Sequence, residues 1–272
     1  MLAPLLMKRN GMRNTLLVGL GFALFGTTPA LAQETGSAAH SLSVTTGVDY
    51  SSGDYGLDDD TKITVVPIVG RLTTGDFSFT ASLPYIRLNT PGGVVLGPDG
   101  KPLPGVPTTG GKSNGFGDVT IGAKYSVPTE ALAGLDLSVG GRVKLPTSSD
   151  SKGLSTGKTD FVSTVELGYT FGAVSPFVEV GYRVLGDPDG VNLRNGPTLS
   201  AGSSVQVGKT VLIASYDYAR SATPAADDSS ELFGGVAIPA GRRFTVTGYG
   251  TKGLSEGSAD YGVGLLLTAK VF

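Results

Sequence analysis

The chain has 272 residues, with 21 basic and 23 acidic side chains, 42 glycines and no cysteine. The missing cysteine excludes disulfides, thiolate catalysis and cysteine metal sites. A formal charge of −2 without any basic cluster argues against nucleic acid as a partner.

Lys8, Arg9 and Arg13 precede the apolar run Thr15 to Phe25, which Ala30, Leu31 and Ala32 follow. This order reads as a signal peptide over residues 1–32, cleaved after Ala32. The run is about 11 residues long and falls short of the roughly 20 that a spanning helix needs, so it does not read as a retained anchor. Residues 33–272 then form a single domain of 240 residues, with 18 basic against 23 acidic side chains and a net charge of −5.

Within that domain, twelve short segments alternate apolar and polar residues. The first spans about Ser41 to Tyr50, and a polar connection through Asp54, Asp58, Asp59 and Asp60 leads to the second, near Thr61 to Leu72. After a short turn, Phe77, Phe79, Ala81, Leu83 and Tyr85 share one parity of the third. The longest connection, Asn89 to Gly115, is rich in glycine and proline and reads as an external loop able to fold inward. Val119 to Val127 and Leu135 to Leu145 follow, the latter with Leu135, Leu137, Val139, Val143 and Leu145 on one face and Asp136, Ser138, Arg142 and Lys144 on the other. The loop Pro146 to Lys158 precedes a segment ending near Phe171, and a tight turn joins it to Val178 to Val184. The loop Gly186 to Gly196 enters Leu199 to Val207, and Gly208-Lys209 turns into Leu212 to Tyr218. A two-residue glycine turn is a strong hairpin signal. Glu231 to Ile238, an eleventh segment and Tyr261 to Phe272 complete the twelve.

Short turns and longer loops alternate throughout. A soluble sandwich has no reason to sort its connections this way, whereas an outer-membrane barrel carries short periplasmic turns and long external loops. The expected fold is therefore all-β, a twelve-stranded antiparallel transmembrane β-barrel of the bacterial outer-membrane type, with both termini periplasmic. Pro67 and Pro84 fall inside segments two and three, where proline cannot donate to the ladder, and predict a bulge or break. Segment two is apolar on both parities around Val65, Val66 and Ile68, so its facing is open.

The inward parity supplies Lys124, Arg142, Lys144, Glu166, Glu179, Arg183 and Asp217 as candidate lumen-lining residues. Two readings stand side by side: the opposed charges orient a polar solute in an open lumen, or they pair with one another and plug it. Tyr50, Tyr85, Tyr125, Tyr169, Phe171, Tyr216 and Tyr218, near strand ends on the outward parity, read as interfacial girdles. Val94, Val95, Leu96, Phe116 and Phe161 are candidates for the solute entrance. Inward glycines, among them Gly122, Gly181, Gly202 and Gly264, either leave room or permit tight coiling.

The run Lys252-Gly253-Leu254-Ser255-Glu256-Gly257-Ser258-Ala259-Asp260-Tyr261-Gly262-Val263-Gly264-Leu265 and the run Leu83-Pro84-Tyr85-Ile86-Arg87 resemble the outer-membrane family named for the MetA pathway of phenol degradation. The terminal Phe272 resembles the aromatic that such barrels present to their assembly machinery, although Lys270 departs from the usual pattern. The resemblance implies a barrel that passes hydrophobic or aromatic small molecules. On this reading the partners are outer-membrane lipid, the assembly machinery and a small-molecule solute, and no cofactor is called for. A closed structural or adhesive barrel is the alternative. A barrel enzyme is disfavoured, because acid–base catalysis at such sites usually needs histidine, and the single histidine, His40, lies on the periplasmic side. No metal site is expected from one histidine and scattered carboxylates.

Overall fold

The computed structural model describes residues 40–90, 95–97, 100–103, 111–128, 135–148 and 153–272. The expected signal peptide and Val94 lie outside these residues. The chain runs β1 (Ser41–Gly53), β2 (Thr61–Thr74), β3 (Phe77–Thr90), β4 (Val95–Leu96), β5 (Pro102–Leu103), β6 (Gly111–Phe116), β7 (Val119–Val127), β8 (Leu135–Leu145), β9 (Asp160–Tyr169), β10 (Val174–Val184), β11 (Gly196–Val207), β12 (Thr210–Ala219), β13 (Ser229–Ala240), β14 (Phe244–Gly253) and β15 (Tyr261–Lys270).

All pairings of the large sheet are antiparallel between neighbours, and β1 closes on β15 from Ser43↔Lys270 to Ser52↔Tyr261. Because β6 and β7 both pair with β3 and together act as one stave, the closed sheet has twelve staves. Closure leaves no strand edge to meet hydrocarbon, where an unpaired amide would cost several kcal/mol.

The period of two sorts the side chains. Val48, Val139, Val165 and Leu265 lie on the outer surface, with Leu265 60% exposed, while Thr45, Ser138 and Ser204 on the opposite parity are almost wholly covered. An apolar surface exposed to this degree suits lipid and would be unfavourable in water. Aromatic pairs mark both rims. Phe77 packs on Tyr125 at 5.0 Å and Tyr169 on Phe171 at 4.3 Å near the short turns, whereas Tyr50 meets Tyr261 at 6.2 Å and Tyr85 meets Phe116 at 5.5 Å near the long loops. Such belts sit where an aromatic ring faces the lipid headgroups. The turn between β11 and β12 is the two-residue Gly208-Lys209, with Gly208 at φ +62° as the first position of a type II′ turn requires.

The two prolines behave differently. Between Ser82↔Thr120 and Tyr85↔Phe116, two residues of β3 oppose three on the partner stave, which is a bulge at Pro84. Gly117 N–H donates to the Pro84 carbonyl at 2.8 Å, and a Cβ on Gly117 would lie 2.9 Å from the Pro84 ring. Pro67 faces Pro84 directly and causes no slip; the ladder with β1 only lapses between Thr46↔Ile68 and Asp49↔Val65. In β2 the facing left open by the sequence is settled, with Ile63 and Val65 buried inside and Ile68 and Leu72 exposed outside. One expectation is corrected. The connection from Asn89 to Gly115 is not wholly loop, because β3 runs on to Thr90 and Gly111–Phe116 pairs with it. Its outward Lys112 and Asn114 have no apolar signature because this end of the stave faces water.

Val139 sits near the middle of β8 on the lipid face. Val139→Arg should therefore destabilise the folded barrel by about 2–4 kcal/mol, the depth-dependent cost of a central cation. Reversible denaturant unfolding in lipid vesicles measures this, and an unchanged midpoint would contradict the assigned faces.

Candidate functional site

The inner faces of the barrel carry two chemically distinct walls. Phe177, Val211, Ile213, Phe233, Ala237, Tyr249 and Leu266 form one buried apolar cluster on β10 and β12 to β15. Opposite in composition, β7 to β10 contribute Lys124, Asp136, Arg142, Glu166 and Glu179, and β2 contributes Arg71. The inward glycines of the apolar wall are covered rather than open. A Cβ on Gly264 would lie 2.1 Å from the Tyr249 ring, and one on Gly202 would lie 2.9 Å from the Phe177 ring. Tyr249 thus crosses β15 through the gap left by Gly264, and its hydroxyl donates to Asp49 on β1 at 2.6 Å. Gly122 and Gly181 are similarly overlaid by Thr80 and Thr198.

Two like-charged pairs stand across strands on the inner face. Glu179 is directly opposite Glu166, and Asp217 is directly opposite Glu231. Facing carboxylates repel unless a cation joins them. Lys124 supplies one to the first pair, with Nζ 3.3 Å from Glu166. For the second pair the cation is Lys101, which lies between β4 and β5 and forms a short ion pair with Glu231 while donating to Ser229 Oγ at 2.6 Å.

The external connections close over the mouth. Val95 and Leu103 pack with Leu185, Leu193 and Ala222, while Leu96 packs with Ile63, Val65, Ile86, Leu88 and Leu154. The β4–β5 hairpin thus touches the connections that follow β10 and β12 on one side and the β2–β3 wall on the other, and Leu96 N–H donates to the Gly153 carbonyl at 3.0 Å. The described part of the long connection therefore lies inward, over the mouth.

The residues singled out from sequence are therefore divided. Lys124, Arg142, Glu166, Glu179, Arg183 and Asp217 all lie on inward positions of their strands. Arg183 is buried and donates to the Arg220 carbonyl, and Asp217 Oδ2 accepts from Ser215 at 2.8 Å. Lys144 lies at the external end of β8 and acts as a loop staple: its Nζ is 3.1 Å from Asp118 and 2.7 Å from Asp160. Asp118 also accepts from the Thr147 and Ser148 amides, and Asp160 from the Gly186 amide, so one lysine anchors two loops. Val95 and Leu96 are buried in the mouth. Phe116 and Phe161 are not at the entrance; both project from the outer wall at more than 50% exposure and belong to the external belt, because their strand parity turns them toward lipid. Asp49, Arg71, Asp136 and Glu231 obey the same parity rule and join these residues on the inner face. Nothing local marks Lys101.

Asp228, in the external connection before β13, accepts from the Tyr218 hydroxyl at 2.6 Å and from the Ser221 amide at 2.8 Å. These donors, the tyrosine first, hold its carboxyl below the ordinary range.

Among known proteins, the family model described as "Putative MetA-pathway of phenol degradation" matches residues 56–268. No curated protein matches the chain in sequence. An outer membrane channel from Pseudomonas putida F1 superposes with a TM-score of 0.63 at 12% identity, covering 88% of this chain and 99% of that one. This likeness shows the shared barrel fold. The CymD monoaromatic hydrocarbon channel gives a TM-score of 0.42 at 12% identity over 86% of this chain and 88% of that one. Outer membrane phospholipase A from Escherichia coli gives 0.39 at 14% identity over 85% and 92%.

Lys144→Met leaves two carboxylates without their buried cation, and breaking such a pair costs about 3–5 kcal/mol. We expect the variant to unfold at lower denaturant and its external loops to become protease-sensitive, with partial recovery in Lys144→Met/Asp160→Asn; a wild-type midpoint would rule out the staple. The Asp228 contribution is present above the unfolded carboxylate value near 4 and is lost only as pH falls through the lower folded value. In Tyr218→Phe the Asp228 titration midpoint, followed by NMR, should move upward, and an unmoved midpoint would deny the hydrogen bond its role.

Proposed function

This chain belongs to the family described as the MetA pathway of phenol degradation, and from that premise we propose that it is an outer-membrane channel for passive passage of small molecules, with hydrophobic or aromatic compounds as its substrate class. The observation that carries the reading is the two-walled lumen. An apolar face built from Phe177, Val211, Ile213 and Phe233 suits an aromatic body, while the charged face of Lys124, Glu166 and Glu179 holds water and polar substituents. Twelve staves fall between the roughly 8 that enclose a packed interior and the roughly 16 that leave an open aqueous channel. A narrow passage follows, and the inward β4–β5 hairpin narrows it further at the mouth.

The printed description of the Pseudomonas putida channel supports this reading, as does the family. Catalysis finds less support: among the described residues there is one histidine, His40, beside the periplasmic end of β1 and away from the external rim. The proposal includes export, with residues 1–32 as the cleaved leader and folding by the outer-membrane assembly machinery. A mature protein whose mass begins at Gln33 is the expected product.

Uptake into liposomes containing the refolded, heat-modifiable protein tests the function. Phenol or a similar neutral aromatic should enter several-fold faster than through protein-free vesicles, and faster than a sugar of comparable size. Equal rates with and without the folded barrel would reject the channel. Val95→Asp/Leu96→Asp, which places charge in the apolar mouth, should alter uptake while the unfolding midpoint moves less than for Lys144→Met.

A further inference from the structure

The two facing carboxylate pairs in the lumen are each met by one lysine, but by different means. Glu166 and Glu179 receive Lys124, which is fixed on a barrel strand. Asp217 and Glu231 receive Lys101, carried on a connection from the far side of the mouth, 130 residues away from Glu231 in the chain. An ammonium group has three donors. Lys101 donates to the Glu231 carboxylate and to Ser229 Oγ, and Asp217 stands directly opposite Glu231 on the neighbouring strand. Asp217 is itself only 5% exposed; its Oδ2 accepts from Ser215, and Ser200 stands directly opposite it on β11 as a second hydroxyl beside the carboxylate. Two facing carboxylates and a serine hydroxyl gathered at one ammonium head form a set of acceptors that matches the three donors of a primary ammonium group. Two residues along β13 on the same face, Phe233 packs against Tyr249 in a tilted pair at 5.5 Å and 31°, giving the site an aromatic floor. Arg183 lines the adjoining cleft, but its guanidinium donates to the Arg220 carbonyl.

We propose that Asp217, Glu231 and Ser229 form a lumenal binding site for a primary ammonium group, occupied in this structure by Lys101. The β4–β5 hairpin is then held across the mouth as a tethered ligand. A soluble amine with a small apolar body competes for the same acceptors, lays its body on Phe233, and releases the hairpin. The binding site stands on the geometry of these residues alone. The opening that release produces rests on the channel reading, and the experiment separates the two.

The full-length folded protein is compared with Lys101→Met and with Lys101→Met/Glu231→Gln, each checked for heat-modifiable migration. If Lys101→Met fails to fold, Lys101→Gln, which keeps a donor to Ser229 without the charge, takes its place. In planar bilayers the single variant should conduct several-fold more than wild type. Butylammonium should refill its vacated site, blocking the current at a concentration at least tenfold below that of butan-1-ol, and the double variant should lose this preference. Thermal unfolding gives a readout independent of conduction: butylammonium should raise the unfolding temperature of Lys101→Met but not of the double variant. Equal action of butylammonium and butan-1-ol in both assays would overturn the site. A silent wild type and silent variants that still show butylammonium-specific stabilisation would keep the site and reject the channel; conduction unaltered by Lys101→Met would reject the lid.

Discussion

Every backbone amide that crosses hydrocarbon must find its partner within the protein, and in this chain that requirement is met by a ladder closed through β1 and β15. The remaining architecture follows from closure. Once the sheet has no edge, alternate side chains have only two places to go, lipid or lumen, and the amphipathic alternation of each strand becomes a physical partition. Glycines on the inward parity allow neighbouring rings to lie flat across the strands, as Tyr249 does over Gly264, so that they tighten the wall instead of widening the bore.

Closure also creates the electrostatic problem that shapes the interior. Carboxylates on the inner face cannot be swept into bulk water by a surface fluctuation, and the strand register brings Glu166 against Glu179 and Asp217 against Glu231. Each pair is met by a lysine, and a third lysine, Lys144, joins Asp118 and Asp160 at the external rim. These buried ion pairs are weak evidence for net stability, since desolvation offsets much of their attraction. Their consequence is positional: they fix where loops sit. Lys144 holds two connections against the rim, and Lys101 draws a hairpin into the mouth.

The lumen that results is asymmetric around its circumference. Its apolar wall and its charged wall are each continuous over several neighbouring strands. Above them the mouth is closed by Val95, Leu96 and Leu103, drawn from a connection that the strand pattern leaves out. The barrel wall and the covering of its mouth are therefore built by different parts of the chain, the first by strands and the second by a connection.

The sequence by itself determined the number of staves, the facing of nearly all of them and the rims, because a period of two is a local property and survives without any knowledge of neighbours. Leu135 to Leu145 reads the same in one dimension as in three. It also marked Pro84 as a site of disruption, since a missing donor is a covalent fact. What only the tertiary structure decided is who meets whom. Parity places Asp217 and Glu231 inside but does not give the register that sets them opposite each other, nor the depth that separates Lys144 from Lys124. The facing of β2, apolar on both parities, was settled by packing of Ile63 and Val65 against Ile86, Leu88 and Leu96. Phe116 and Phe161 look alike to any reader of composition, whether they line a mouth or face lipid, and one residue of bulge at Pro84 is enough to set the parity of the first. Lys101 carries no periodicity at all; its role arises because a flexible ammonium arm finds carboxylates distant in sequence, and such a meeting exists only once the barrel has closed.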